Sequence, residues 1–330
     1  MERSVGLLRS WMLMRLFRWS AIGTASLMLV WLAVCLFVGI LSADWALHPP
    51  RRSLTASSEV CALEIAERYR AKLVPVNLAA IDGVILRGWY LRASSGNNDA
   101  VILLHGQSDN RAGMLDTAEL MLKNGYSVLL PDARGHGQSG GDLATYGVKE
   151  SRDIQRWFDW LAAEYRPNCI DGLGDSMGAA ELLQSLSVEK HFCAVVAESS
   201  FASFREASYD RIGEWIGTGP WVGQTIFRPV VWFGLLYARM RYGVDLSHNN
   251  PGIAVANSNV PVLLIHGLMD TNLPPRNSEM ILSKSGAQNS RVVLWEPKYA
   301  GHCGAATAEP YEYDRRVLGW FEDHNKSAGR

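Results

Sequence analysis

Four runs of four residues constrain this chain more than any other feature: Val101-Ile102-Leu103-Leu104, Ala194-Val195-Val196-Ala197, Val262-Leu263-Leu264-Ile265 and Val292-Val293-Leu294-Trp295. A strand with one wet face alternates apolar and polar residues, whereas a parallel strand covered on both faces is apolar throughout. These runs therefore predict buried parallel strands, with a fifth at Ser127 to Leu130. Parallel neighbours need long crossovers, and helical patterns fill the gaps. Ile154, Trp157, Phe158 and Leu161 follow the i, i+3, i+4, i+7 spacing of one buried helix face. Met114 to Lys123, Ser278 to Lys284 and a C-terminal segment with Tyr313, Val317, Trp320 and Phe321 occupy similar slots. This alternation predicts a mainly parallel sheet with helices on both faces. Two further strands, Leu73 to Leu78 and Val84 to Leu91, flank Ile81-Asp82-Gly83, which reads as a hairpin turn. A chain of 330 residues with 48% hydrophobic content can bury such a core.

Chemistry-bearing residues stand where these runs end. The first run leads into His105-Gly106-Gln107-Ser108-Asp109-Asn110, and the third into His266-Gly267-Leu268-Met269-Asp270. The fourth is followed by a loop carrying Gly301-His302-Cys303-Gly304. Between the first and second runs lies Gly174-Asp175-Ser176-Met177-Gly178, a G-x-S-x-G pentapeptide preceding a small-residue helical stretch. A serine hydroxyl needs a base, an oxyanion site and an exposed perch before it can attack. A sharp strand-to-helix turn supplies the perch, and glycines relieve its crowding. In open α/β sheets ligands bind at the carboxyl ends of the strands, where Gln107, Ser176, Asp270 and His302 all fall.

The order Ser176, Asp270, His302 resembles the chain order of an α/β-hydrolase triad. The His-Gly loop and Pro131-Asp132-Ala133-Arg134-Gly135-His136-Gly137-Gln138-Ser139 look like the branch of serine aminopeptidases and monoglyceride lipases. The resemblance covers roughly residues 70 to 322 and implies an α/β-hydrolase fold with an eight-stranded sheet. It adds Ile170 to Leu173 as a strand, despite the poor strand formers Asp171 and Gly172. It also implies that the insertion from Ser200 to Asn250 covers the site as a helical cap. The cap's Trp215, Trp221, Phe227, Trp232, Phe233 and Tyr237 could line an acyl pocket, face a bilayer or simply pack the cap.

The implied roles are Ser176 as nucleophile, His302 as general base and then acid, and Asp270 as the group orienting the imidazole. Glu198, after the preceding strand, is the rival acid. Backbone N–H groups of Gln107 and Met177 would hold the oxyanion. His105, His266, His136 and Arg134 are expected to shape loops rather than transfer protons. Cys303 is read as packing. Cys169 and Cys193 start two strands that the resemblance makes neighbours, so a disulfide is open to them, although two buried free thiols are the preferred reading. Serine rather than aspartate at position 176 argues against dehalogenase or epoxide-hydrolase chemistry.

The N-terminus has a different character. No charged residue occurs from Ala21 to Ser42, a stretch long enough to cross a hydrocarbon core of about 30 Å as a helix. Arg3, Arg9, Arg15 and Arg18 precede it against Glu2 alone, which predicts a cytoplasmic N-terminus and an extracytoplasmic catalytic domain. A cleaved signal peptide competes with this reading. Such peptides carry apolar cores of about 7 to 15 residues, and Leu41-Ser42-Ala43 is a poor cleavage site. An uncleaved signal anchor is therefore expected.

The expected organisation is a tail and transmembrane anchor over 1–45 and a linker over 46–69. The hydrolase core spans 70–199 and 251–322, with the cap at 200–250 and a C-terminal tail at 323–330. A formal net charge of −1 and the lack of a basic stripe argue against nucleic-acid binding. The scattered cysteines form no metal-site pattern, and no cofactor is expected. The leading expectation is a membrane-anchored serine hydrolase cleaving carboxylic esters or thioesters, with small molecules and lipids as candidate substrates. A serine peptidase or aminopeptidase on the same triad is the alternative. It would need an anionic patch for the substrate amine, with Glu198, Glu206 and Glu214 as candidates. A catalytically silent membrane-tethered scaffold is the third reading.

Overall fold

The uncharged stretch from Ala21 to Ser42 lies within one long helix, α1, which runs from Glu2 to Leu47 and stops before His48-Pro49-Pro50. The computed structural model describes residues 2–285 and 291–328. The two prolines end α1, because Pro lacks the N–H a helix needs and disfavours helical geometry in the preceding residue. The part from Trp11 to Leu47 is long and apolar enough to cross a membrane. Helix α2 (Ala56–Arg68) follows, capped by Thr55, whose side chain accepts from the Ser58 N–H.

The core then alternates as the apolar runs predict. Strands β1 (Ala71–Ala79) and β2 (Ile85–Ala93) form the expected hairpin, followed by β3 (Ala100–Leu104), α3 (Leu115–Lys123), β4 (Ser127–Pro131) and α4 (Glu150–Glu164). Next come β5 (Ile170–Asp175), α5 (Met177–Ser185) and β6 (Val195–Glu198). Helices α6 (Phe204–Ile216), α7 (Trp221–Gln224) and α8 (Arg228–Tyr242) make up the insertion, and α9 (Pro251–Ala256) returns the chain to the sheet. The last elements are β7 (Val262–Ile265), α10 (Arg276–Ser285), β8 (Val292–Trp295), α11 (Ala305–Ala308) and α12 (Pro310–Ala328). All eight strands join one sheet in the order β1-β2-β4-β3-β5-β6-β7-β8. Among the described residues, β1–β2 and β2–β4 pair antiparallel and the other neighbours pair parallel.

Side-chain alternation along the buried strands divides the interior into two cores. Ile102, Leu104, Val195, Ala197, Val262 and Leu264 face one layer, with Trp157 of α4, Leu182 of α5 and Ile281 of α10. Val101, Leu103, Val196, Leu263 and Ile265 face the other, with Ile65 of α2, Met121 of α3 and Phe321 of α12. The sequence weakness of β5 has a packing reason. A Cβ at Gly172 would lie 2.7 Å from Leu182 Cδ1, so the glycine leaves the Leu182 side chain of α5 room against this central strand. The buried Asp171 carboxylate accepts from the Ala194 N–H at 3.0 Å and from Asn325 at 2.8 Å.

Three expectations need correction. Segment 46–69 is not a plain linker: Ala62, Ile65 and Ala66 of α2 are buried in the second core, and Arg51 donates to the Gly135, Ser139 and Gly141 carbonyls. The chain from 323 is not a free tail, since α12 continues to Ala328 and Asn325 bonds Asp171. Cys169 and Cys193 are not free thiols but form a disulfide, their Cα atoms 5.8 Å apart. Neighbouring strand starts hold the two residues within bonding reach.

Candidate active site

Four loops at the carboxyl edge of the sheet bring the candidate residues together. Ser176 stands between β5 and α5 with φ 54° and ψ −111°, a conformation that costs a non-glycine residue about 1–3 kcal/mol. The flanking glycines make the turn feasible. A Cβ at Gly174 would lie 2.6 Å from the Gly178 backbone, and one at Gly178 would lie 2.4 Å from the Leu104 carbonyl oxygen. The turn is thus squeezed between its own helix and the end of β3.

His302, in the loop after β8, lies with Nε2 2.9 Å from Ser176 Oγ and Nδ1 2.8 Å from Asp270 Oδ2. In the neutral ring, Nδ1–H donates to Asp270 while Nε2 accepts from the serine hydroxyl. The Asp270 side chain is fully buried, and its other oxygen accepts the Asn272 and Leu273 N–H groups, both at 2.9 Å. Burial by itself raises the carboxyl's pKa. Hydrogen bonds from His266 and His302 and the charge of His302 outweigh it and hold Asp270 well below the usual carboxylate range. Asp270 is therefore an anion aimed at the imidazole.

Glu198 does not occupy that position. Its Oε1 accepts the Ala305 N–H at 2.9 Å, and burial together with nearby Asp175 pushes its pKa up. Burial and then Asp109 also raise Asp175, immediately before the serine. Glu198 is buried and Asp175 partly so, which no motif records, because local pattern does not report burial depth. Cys303 has its thiol pKa raised by burial first and then by Asp175 and Glu198, so it is no ready thiolate.

The other histidines hold loops. His266 Nε2–H donates to the Leu273 carbonyl at 2.7 Å, and Nδ1 accepts from Ser278 at 2.6 Å. His105 Nε2 accepts the Ala133 N–H at 3.1 Å. His136 Nδ1 donates to the Arg134 carbonyl at 3.0 Å, and Arg134 itself pairs with Asp153 and Asp82. Gln107 and Met177 both line the cavity at Ser176. Met177 is the first residue of α5, so its N–H has no acceptor within the helix.

That cavity, about 190 Å³, is mostly apolar, with Phe201, Phe204, Leu246 and Leu273 among its walls. The cap aromatics divide their duties. Trp215, Trp221 and Trp232 are all more than half exposed, Trp215 also lines the cavity, and Phe233 packs edge-on against Trp232. Residues of α1 also reach the cavity, including Ser42, Ala43 and Ala46. Sequence reasoning missed them. The one available signal was the spacing of Cys35, Gly39, Ala43 and Leu47, which repeats every four residues along one helix face.

Known proteins with the same fold include the Pyrococcus furiosus esterase Pf2001, superposing with a TM-score of 0.66 at 25% identity over 84% of this chain and 99% of that one. The Pyrococcus horikoshii acylaminoacyl peptidase shares the fold at a TM-score of 0.59 and 19% identity, over 77% of this chain and 42% of the peptidase. By sequence the chain is similar to the uncharacterized protein YqkD of Bacillus subtilis, 25% identical over 74% of this chain and 78% of YqkD. The profile of the prolyl oligopeptidase family matches residues 114–328. That match spans more than half of the chain and places this serine hydrolase in the prolyl oligopeptidase family.

Proposed function

We propose that the protein hydrolyses carboxylic esters or thioesters of apolar acyl groups through an acyl-enzyme on Ser176. The observation that carries this reading is the cavity wall: among the described residues, no aspartate or glutamate lines it. A pocket for a free amino terminus needs a carboxylate there. Glu198 is bonded to Ala305, while Glu206 pairs with Arg276 at 3.2 Å and Glu214 with Arg211 at 2.8 Å. Apolar walls suit an acyl chain, whose transfer from water is favourable at about 0.8 kcal/mol per methylene.

In this mechanism Ser176 Oγ attacks the acyl carbon as its proton passes to His302 Nε2, leaving an imidazolium beside anionic Asp270. The Gln107 and Met177 N–H groups stabilise the tetrahedral oxyanion. His302 then protonates the departing alcohol or thiol. Water, deprotonated by the same imidazole, releases the acid from the acyl-enzyme.

The protein works on this reading as a single-pass membrane enzyme with a cytoplasmic N-terminus. The arginines ahead of the uncharged stretch of α1 support that orientation, and the Cys169–Cys193 disulfide supports an oxidising compartment for the catalytic domain. The division into anchor, core and cap belongs to the same reading, as does the motif likeness to serine aminopeptidases and monoglyceride lipases. The family match favours peptide bonds as the second reading.

Activity on p-nitrophenyl acyl esters against aminoacyl-anilides separates the two. Ester turnover that Ser176→Ala abolishes is the expected result, and anilide turnover without ester turnover would sink the ester reading. Fluorophosphonate labelling of wild type but not of Ser176→Ala checks the nucleophile. Protease protection in sealed vesicles checks the topology, since digestion of the catalytic domain from the cytoplasmic side contradicts it.

A further inference from the structure

The end of α1 is built into the catalytic domain rather than tied to it. Cys35, Gly39, Ala43 and Leu47 form a buried face. The α1 and α8 backbones meet at Gly39 and Gly234. A Cβ at Gly39 would lie 2.5 Å from the Val230 carbonyl oxygen, and one at Gly234 would lie 3.0 Å from the Gly39 carbonyl oxygen. Small residues four apart permit such approach between helices in membranes. Asp44 bonds Tyr237 and Tyr242 of the cap, the Ala46 carbonyl accepts from Tyr146, and the Leu47 carbonyl accepts the Ala144 N–H at 3.0 Å.

This seam borders the cavity at Ser176. Gly39, Ser42, Ala43 and Ala46 line one side, and Val231 and Leu235 of α8 line another. Ala46 to Gly39 is seven residues, about 10 Å of helix at 1.5 Å per residue. Leu47 packs in one apolar cluster with Met177, beside the serine, while Gly39 meets α8 farther back along the helix. Asp44 is the first charged residue after Arg18, so Gly39 and Ser42 belong to the uncharged membrane-spanning stretch. Trp215, Trp221 and Trp232 stand exposed on the adjoining cap, as aromatic residues do at a bilayer interface.

We infer that the stretch of α1 from Gly39 to Ala46 forms one wall of the acyl-binding cavity, and that this wall selects a single extended acyl chain of an ester residing in the bilayer. The inference rests on the acyl-transfer reading of Ser176. A chain entering along α1 passes from lipid to an apolar groove without crossing water, and its ester group stops at Ser176. The anchor is then a specificity element of the site as well as its tether.

The test uses the full chain in phosphatidylcholine vesicles and compares Ser176 labelling rates with ethyl and dodecyl fluorophosphonates. Wild type should prefer the dodecyl probe, and Ser42→Phe, which fills the cavity from α1, should cut that preference about tenfold, the scale at which apolar pockets discriminate chains. Leu29→Phe, on an exposed part of α1, should keep the wild-type preference. Ser42→Leu is read in the same way should the phenylalanine prevent labelling by the short probe. Loss of preference in Val231→Phe but not in the Ser42 variants would confine the pocket to the cap and overturn the proposal, as would a wild type that labels equally with both probes. Preferential labelling without turnover of any carboxylic ester would instead defeat the ester reading and leave the α1 wall standing.

Discussion

Asp270 and His302 meet at 2.8 Å from loops that follow different strands, while Glu198 lies buried near them without touching the imidazole. Two acids thus compete by sequence position, and geometry separates them. Asp270→Asn should lower kcat by about 10⁴, because an amide no longer holds the required imidazole tautomer. Glu198→Gln should keep kcat within about tenfold, since its Oε1 accepts from the Ala305 N–H, a bond that an amide oxygen can also take. Steady-state rates on one ester decide the matter, and equal losses in the two variants would contradict the assignment.

The turn at Ser176 leaves no room at its helix start. Gly178→Ala would place a methyl 2.4 Å from the Leu104 carbonyl oxygen, which is backbone and cannot swing aside. Overpacking of this kind costs about 1–3 kcal/mol. Fluorophosphonate labelling should slow as well, because α5 must shift with Met177 and the serine. A variant with wild-type melting temperature and labelling rate would refute the close approach.

Acid should weaken the fold through His136. Burial, and after it the neighbouring His105 ring, push the His136 imidazole down to about 4. A depressed histidine contributes stability that is present above its unfolded value of about 6.5 and is lost as pH falls toward 4. The linked stability is about 3 kcal/mol, at 1.36 kcal/mol per pH unit between those two values. Urea midpoints from pH 7 to 4 should therefore drop less steeply in His136→Gln than in wild type. Parallel slopes would show that another group carries the acid sensitivity.

The Cys169–Cys193 bond closes a loop across a sequence separation of 24. Removing it through Cys193→Ala should cost about 3 kcal/mol by the loop-entropy estimate. Activity at low temperature should survive, since the bond lies at the starts of β5 and β6, opposite the carboxyl edge that carries Ser176. Thermal unfolding with and without reductant checks this, and an unchanged midpoint would mean that the bond does not form in the folded protein.

The sequence by itself determined the sheet, the chain order of the candidate residues and the apolar helix at the N-terminus. Short unbroken apolar runs have few other ways to bury both faces, and G-x-S-x-G has its meaning only at a strand end. Segment 46–69 carried a helical pattern too weak to announce its burial, and nothing in the spacing of Cys169 and Cys193 chose bond over thiols. Only the tertiary structure decided that Asp270 rather than Glu198 faces His302, and that α1 lies against the cap and lines the cavity at Ser176. Both are matters of distance between residues far apart in the chain. Local pattern records which face of a helix or strand is apolar, but not which other surface covers it.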